Sequence, residues 1–416
     1  MLPHRSITSD VRERNAALVY SVLEESDQVT RADLSIQTGL AVGTVRTILA
    51  QFLERGLVTP QGERAETGGR PTHLFALNAQ RVAAILVAVT REGIEADVVD
   101  LATQVLWRGR VDISIDAGDA WRRAMSDLVA AARTEVVAAY PSTLPVAVIV
   151  SIPTLVVQSR YVLGSLTAAP PQMDLAAELE DAAGPGVTVI VVNNGRLRAL
   201  AAREQAARDR SCYVAALCSS ADGVTGALLT DLTVFPGDHG LAGELGHLVV
   251  DHRGPRCRCG ARGCLHQLTS TASLIDAGGL GDDLVRQTGG LPQAAPDGLD
   301  ALIAHAEDGD QRVLDALATA GNALAAAVAT LSNVTDVGLV ILEGDYARLE
   351  RWLRPPIDAL IAERTRVNPI FNPRVLFRTV SDLDLRHAGL RIALDEFRAH
   401  PLTVPLLAEP APLPEG

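Results

Sequence analysis

Residues 242–264 read Ala242-Gly243-Glu244-Leu245-Gly246-His247-Leu248-Val249-Val250-Asp251-His252-Arg253-Gly254-Pro255-Arg256-Cys257-Arg258-Cys259-Gly260-Ala261-Arg262-Gly263-Cys264. Three of the chain's five cysteines fall within eight positions, and a histidine precedes them by ten. Three thiolates and one imidazole form a tetrahedral donor set suited to Zn²⁺, and a site closed by four protein ligands holds its metal structurally rather than catalytically. Gly260 and Gly263 permit the tight backbone turns of such a knuckle. His247 is the expected fourth ligand, with His252 and His266 as alternatives. Cys212 and Cys218 lie in or beside an expected strand and are assigned to the core. An odd cysteine count with one dense cluster does not read as a disulfide framework.

Outward from that stretch, 416 residues with 48% apolar and 21% charged content describe a globular chain of two or three domains. The sequence shows neither an uninterrupted apolar run of the roughly 18–20 residues that crosses a bilayer nor an apolar stretch behind Arg5 that would make a secretory signal. A cytoplasmic protein is expected. All 37 basic residues are arginine, which excludes Schiff-base chemistry and a P-loop lysine. The net charge is −13, yet residues 1–80 carry 8 Arg against 9 acidic residues. Only this near-neutral N-terminal part can approach a polyanion; the acidic remainder repels one.

The first 60 residues read as three short helices. Asp10 with Glu13 resembles a capping box, followed by Val11, Leu18, Val19, Val22 and Leu23 at helical spacing. Thr30 with Asp33 opens a second helix that stops near Gly39. Val45, Ile48, Leu49, Phe52 and Leu53 form the apolar stripe of a third, ended by Gly56. The short connection through Gly39-Leu40 is a helix-turn-helix, and two short strands around an Arg- and Gly-rich tip (61–71) form a wing. From residue 82 the pattern becomes strands at 83–89, 94–101 and 105–115, a helix at 120–139 and a strand at 146–152. A helix at 175–181 then leads to a strand at 187–192. A second series has strands at 212–217 and 226–229, long helices at 302–331, a strand at 338–342, a helix at 349–364 and a strand at 375–377. Two successive series of this kind predict two similar α/β lobes around a cleft. Residues 277–298 read as a surface loop, and 401–416, with five prolines, as a disordered tail.

The run 242–247 with the cysteine spacing 257–264 resembles the signature of the ROK family, which comprises sugar-responsive repressors and sugar kinases. A winged helix-turn-helix ahead of it matches the repressor branch, of the xylose- and N-acetylglucosamine-repressor kind. The resemblance implies an α/β architecture: an N-terminal winged helix-turn-helix followed by a two-lobed actin-like (ribonuclease H-like) ATPase/sugar-kinase fold. The expected division is 1–80 for the DNA-binding domain, 81–194 plus a C-terminal helix at 383–399 for the first lobe, and 195–380 for the second. By position it also implies His247, Cys257, Cys259 and Cys264 as zinc ligands, and Asn193, Glu244, His247 and His266 as effector-binding residues.

The departures from the kinase pattern matter equally. Asn193-Asn194 stands where the kinases carry Asn-Asp, and an amide cannot take the proton of the attacking hydroxyl. The phosphate-binding turn after the first strand is replaced by Ala88-Val89-Thr90-Arg91-Glu92-Gly93, and the second phosphate loop survives only as Asp222-Gly223-Val224-Thr225-Gly226. Phosphoryl transfer depends on positioned phosphates and a base, so no catalytic residue is expected; the competing reading is an ATP-dependent sugar kinase carrying a DNA-binding domain. His266 replaces the family's glutamate, and Pro153-Thr154 replaces Pro-Gly.

On the third helix, Thr44, Arg46 and Thr47 face away from the apolar stripe toward a major groove, and Arg70 in Gly68-Gly69-Arg70-Pro71 suits a narrow minor groove. Ala41-Val42 stand where the family has Ser-Arg, which removes an N-cap. The expected partners are a double-stranded DNA operator and a sugar or sugar-like effector. One recognition helix reads only a half-site, so the chain is expected to form a homodimer or a dimer of dimers.

Overall fold

The computed structural model describes residues 7–64, 72–90, 93–163, 172–206, 209–220, 223–281 and 297–407. Thr30 and Asp33 form the expected capping box of helix Arg31–Thr38, the Asp33 amide donating to Thr30 Oγ1 at 3.1 Å and the Thr30 amide to Asp33 Oδ2 at 3.0 Å. Gly39 ends that helix at φ 71°, a left-handed conformation that costs glycine little. The helix Val42–Glu54 follows at once, and its five-residue apolar stripe is fully buried. Strands Val58–Arg64 and Thr72–Leu77 pair antiparallel as the two sides of a wing, with Val29–Thr30 on the far edge of Thr72–Leu77. The expected tip, Arg70 included, lies outside the described residues. The first helix departs from expectation. It spans Ile7–Glu24, so Asp10 lies inside it rather than at its cap. Its buried face is Ala16, Val19, Tyr20 and Leu23, while Val11 and Leu18 are exposed.

Strands Val82–Val89, Ile94–Asp100 and Val105–Val111 form an antiparallel meander. Leu144–Ile152 adds parallel to the first of them, and Thr188–Asn193 parallel to that. Strands Tyr213–Ser220, Gly223–Thr230 and Thr233–Val234 form a second meander, extended by Leu339–Gly344 and Arg374–Arg378. Counted within each sheet, both have the order 3-2-1-4-5. The halves share no visible sequence self-similarity, yet the topology repeats; this is the two-lobed actin-like fold. The strand Thr233–Val234 and a small sheet of Leu155–Val157, Tyr161–Leu163 and Gln172–Asp174 were not legible as strands.

Helices Asp119–Ala139 and Leu175–Ala183 cover one face of the first sheet, with Trp121, Met125, Val129 and Leu179 buried against it. Helix Asp382–Ala399 returns to its other face. In the second lobe, Gln311–Thr335 and Glu350–Val367 cover one face and Asn194–Gln205 the other. Gln311–Thr335 is long and apolar enough to cross a membrane by composition alone. Its Leu317, Leu324 and Val328 are instead fully buried in the second core, each such burial contributing about 1.5–3 kcal/mol.

The expected tail needs correction. Pro401–Thr403 forms a short 3-10 helix, and Leu402 and Val404 are buried. Proline content alone misread this segment, because its alternating apolar residues pack against the winged helix; residues 408–416 lie outside the described residues. The expected surface loop likewise shortens at both ends, to helix Thr271–Gly278 and to helix Asp297–Glu307, and 282–296 lie outside the described residues.

Candidate functional site

The knuckle is built by its glycines and by two isolated bridges, Val249 with Cys264 and Arg256 with Arg262. Gly263, at φ 64°, packs so closely on the Asp251 carbonyl that no Cβ fits there. The Cys257 amide donates to Ala261 O at 2.9 Å and the Gly260 amide to Cys257 O at 3.1 Å, closing the turn that carries two of the thiols. The ligand atoms of His247, Cys257, Cys259 and Cys264 then all lie within 4.8 Å of one another. Cys257 Sγ is 3.6 Å from His247 Nδ1, and the sulfurs of Cys259 and Cys264 are 3.5 Å apart. The two shorter separations are compatible with donors around one tetrahedral ion, since metal–sulfur bonds of about 2.3 Å place sulfurs about 3.8 Å apart. All five cysteines are free thiols. Hydrogen bonding from the Ala261 backbone and from Cys257 holds the Cys259 thiol below its usual range, whereas burial, then its thiol neighbours, push Cys264 up to about 12. Neither His252 nor His266 joins the cluster. Cys218 is buried as expected, but Cys212 is exposed just ahead of its strand.

His247 belongs to two places at once. Its ring meets His266 edge-on at 6.0 Å, and both line a cavity of about 410 Å³ between the lobes. Asn193 and Glu244 line the same cavity, so the four residues expected to bind an effector are brought together. Burial, offset by Arg196 and His247, raises the Glu244 carboxyl above its ordinary value. Burial, with His247 and Arg258 nearby, lowers His266 and keeps it a neutral donor and acceptor. Asn193 is largely committed to structure. Its Oδ1 accepts from the Gly195 amide at 2.8 Å, capping Asn194–Gln205, and its Nδ2 donates to Thr154 O at 2.7 Å.

Asn194 is also held. Its Oδ1 accepts the Ser151 hydroxyl at 2.5 Å and its Nδ2 donates to Val89 O at 3.4 Å, so one amide ties the helix to the ends of two first-lobe strands. Beside it, Arg198 forks onto Glu343, with Nε to Oε2 at 2.8 Å and the second nitrogen on Oε1. Glu343 is fully buried near the carboxyl end of strand Leu339–Gly344. Burial raises the carboxyl of Asp345, which accepts from Thr271 Oγ1 at 2.5 Å. Ser151, Arg198 and Glu343 were not anticipated. Signals existed for two of them: Arg198 lies four residues after Asn194 on one helical face, and Glu343 is the lone carboxylate in an apolar strand. Of the two phosphate-loop segments, Arg91 and Glu92 of the first and Asp222 of the second lie outside the described residues.

On the third helix, Arg46 and Thr47 are exposed and Thr44 is half-buried. Thr47 spends its hydroxyl on Gly43 O at 3.0 Å. Ala41 caps the helix without a side-chain bond, and Val42 is exposed at its first position.

The profile of the ROK family matches residues 85–384. The chain belongs to the ROK family. It is 25% identical to the DNA-binding transcriptional dual regulator NagC of Escherichia coli K12, over 84% of this chain and 85% of that one. The crystal structure of a ROK family transcriptional regulator, a homologue of the E. coli MLC protein, superposes with a TM-score of 0.75 at 22% identity, over 95% of this chain and 98% of that one. A ROK hexokinase from Thermus thermophilus superposes with a TM-score of 0.56 at 20% identity, over 97% of its own length but 74% of this chain.

Proposed function

We propose that this ROK protein is a DNA-binding transcriptional repressor whose kinase-like cleft senses a ligand and catalyses nothing. The observation that carries the reading is the winged helix-turn-helix at residues 7–77, packed ahead of the matched ROK region. The names of its relatives, NagC and the xylose repressor of Bacillus subtilis, agree with it. The cleft supports the same reading. Asn194, held by Ser151 and the Val89 carbonyl at the cleft, offers no base for an attacking hydroxyl.

The DNA partner is a double-stranded operator read by Thr44, Arg46 and Thr47 in the major groove and by Arg70 in the minor groove. The effector is a sugar or sugar-like polyol held by Glu244, His247, His266 and the Asn193 rim. The protein acts in the cytoplasm as a homodimer or a dimer of dimers. His247, Cys257, Cys259 and Cys264 would hold Zn²⁺. With no open ligand position, the ion would supply folding energy and orient the His247 ring. The deciding experiment is titration of the purified protein against the DNA upstream of its own gene at fixed salt, with candidate sugars as competitors. Specific binding supports the reading, whereas phosphorylation of a sugar by ATP without DNA binding would replace it with the kinase alternative.

A further inference from the structure

Arg81 is 6% exposed and stands between the last strand of the wing and the first strand of the first lobe. Its guanidinium donates to three backbone carbonyls from distant parts of the chain. Nε reaches Arg55 O at 2.6 Å, one terminal nitrogen reaches Pro405 O at 2.9 Å, and the other reaches Ser142 O. Arg55 directly follows the recognition helix, Ser142 lies in the turn before strand Leu144–Ile152, and Pro405 lies in the C-terminal segment. A buried guanidinium is costly unless its donors are satisfied, so this junction depends on all three segments being present together.

The C-terminal segment makes further bonds to the same helix end. Arg55 Nε donates to Leu402 O at 3.1 Å, and the Leu407 amide to Glu54 O at 2.9 Å. Gly56, at φ 67°, leaves room for the Leu407 side chain, which a Cβ there would strike. One turn earlier, Arg398 forks onto Glu24 of the first helix, and Phe397 meets Tyr20 edge-on at 5.2 Å. A single apolar cluster therefore runs from Phe52, Leu57 and Phe75 of the winged helix through Leu394, Phe397, Leu402 and Val404 to Ala84 and Ile149 of the first sheet. Helix Asp382–Ala399, from which the segment emerges, is bonded in turn to the helix that lines the cleft: Arg391 Nε meets Glu204 at 2.5 Å and Gln205 meets Asp384 at 2.7 Å.

We propose that residues 398–407, pinned by Arg81, form a strap that fixes the recognition helix on the first lobe, so that the cleft-lining helix and the DNA-reading surface move as one body. The consequence for operator choice rests on the DNA-binding reading above; the strap itself does not.

The test compares the intact chain with Arg81→Met, with a chain ending at Val404, and with a chain ending at Leu407, using hydrogen exchange and zinc content. Arg81→Met and the chain ending at Val404 should each exchange at least tenfold faster at residues 42–58, with strand Leu339–Gly344 and the zinc unchanged. The chain ending at Leu407 should match the intact protein. Unchanged exchange at 42–58 in the chain ending at Val404 would overturn the strap, and this chain decides alone if Arg81→Met does not fold. A second arm inserts one or two base pairs at the centre of the footprint on the upstream DNA. The intact protein should lose at least tenfold in affinity, and the chain ending at Val404 less than threefold. Equal losses would overturn the single-body claim. If the intact protein binds no DNA, the regulatory reading fails while the exchange result still decides the strap.

Discussion

Ser151 donates its hydroxyl to Oδ1 of Asn194 at 2.5 Å, and the same amide reaches across to Val89 O. The position at which the resemblance to the kinases leads one to expect a general base is thus a structural tie here, and its amide group uses both a donor and an acceptor.

Asn194→Asp is therefore expected to lose rather than gain. A carboxylate can still accept from Ser151 but turns a negative oxygen toward the Val89 carbonyl, a change worth about 1–3 kcal/mol of destabilisation. Thermal unfolding should show the loss, and an ATP-coupled sugar assay should stay flat. Restored phosphorylation in this variant would mean that only the base was missing.

Arg198 and Glu343 form the next tie, from the linking helix to a second-lobe strand. Arg198→Met leaves a fully buried carboxylate without its partner and should cost about 3–5 kcal/mol, whereas pairing it with Glu343→Leu should recover a large part of that loss. Denaturant unfolding of the four proteins in a double-mutant cycle measures the coupling. Additive losses would show that the fork carries little energy.

These two ties also mark where the sequence stopped being legible. Periodicity exposed the stripe Val45 to Leu53, and the capping box was readable because Thr30 and Asp33 lie within one turn of helix. The knuckle was readable because three thiols in eight positions are improbable in a core. The sheet order, the Asn194 tie and the Arg198–Glu343 fork depend on residues far apart in the chain, which local patterns do not register. The C-terminal strap was misread for a related reason: five prolines describe the local backbone, while Leu402 and Val404 are buried in a cluster that reaches back to Val19, Phe52 and Phe75, more than three hundred positions earlier.

Arg46 and Thr47 project from the recognition helix into solvent. If Arg46 reads a base, Arg46→Ala should weaken binding by about 1–3 kcal/mol and relax preference at one position of the half-site. Arg70→Ala should weaken binding to A/T-rich flanks in particular, as expected for a narrow minor groove. Titrations at two salt concentrations separate these effects from a phosphate contact, whose removal lowers the salt slope by about one. Unchanged affinity in both variants would mean that this surface does not read DNA.

The knuckle supplies the last prediction. Cys264 is fully buried beside Leu265, which sits in the second-lobe core, and His247 joins the cluster to the cleft. Zinc held by such a set contributes roughly 10 kcal/mol or more of binding free energy in small zinc peptides. Even a fraction of that is a large share of the roughly 5–15 kcal/mol that separates a folded domain from its unfolded chain. One equivalent of zinc per chain is expected by elemental analysis of the purified protein. Cys257→Ser or a strong chelator should remove it and lower the unfolding temperature, with hydrogen exchange rising first at residues 245–268. Because the His247 ring loses its anchor, ligand response should weaken in the same variant while helix Val42–Glu54 keeps its protection. A purified protein without zinc, or a Cys257→Ser variant that retains both metal and stability, would show that the four side chains form a thiol cluster and not a metal site.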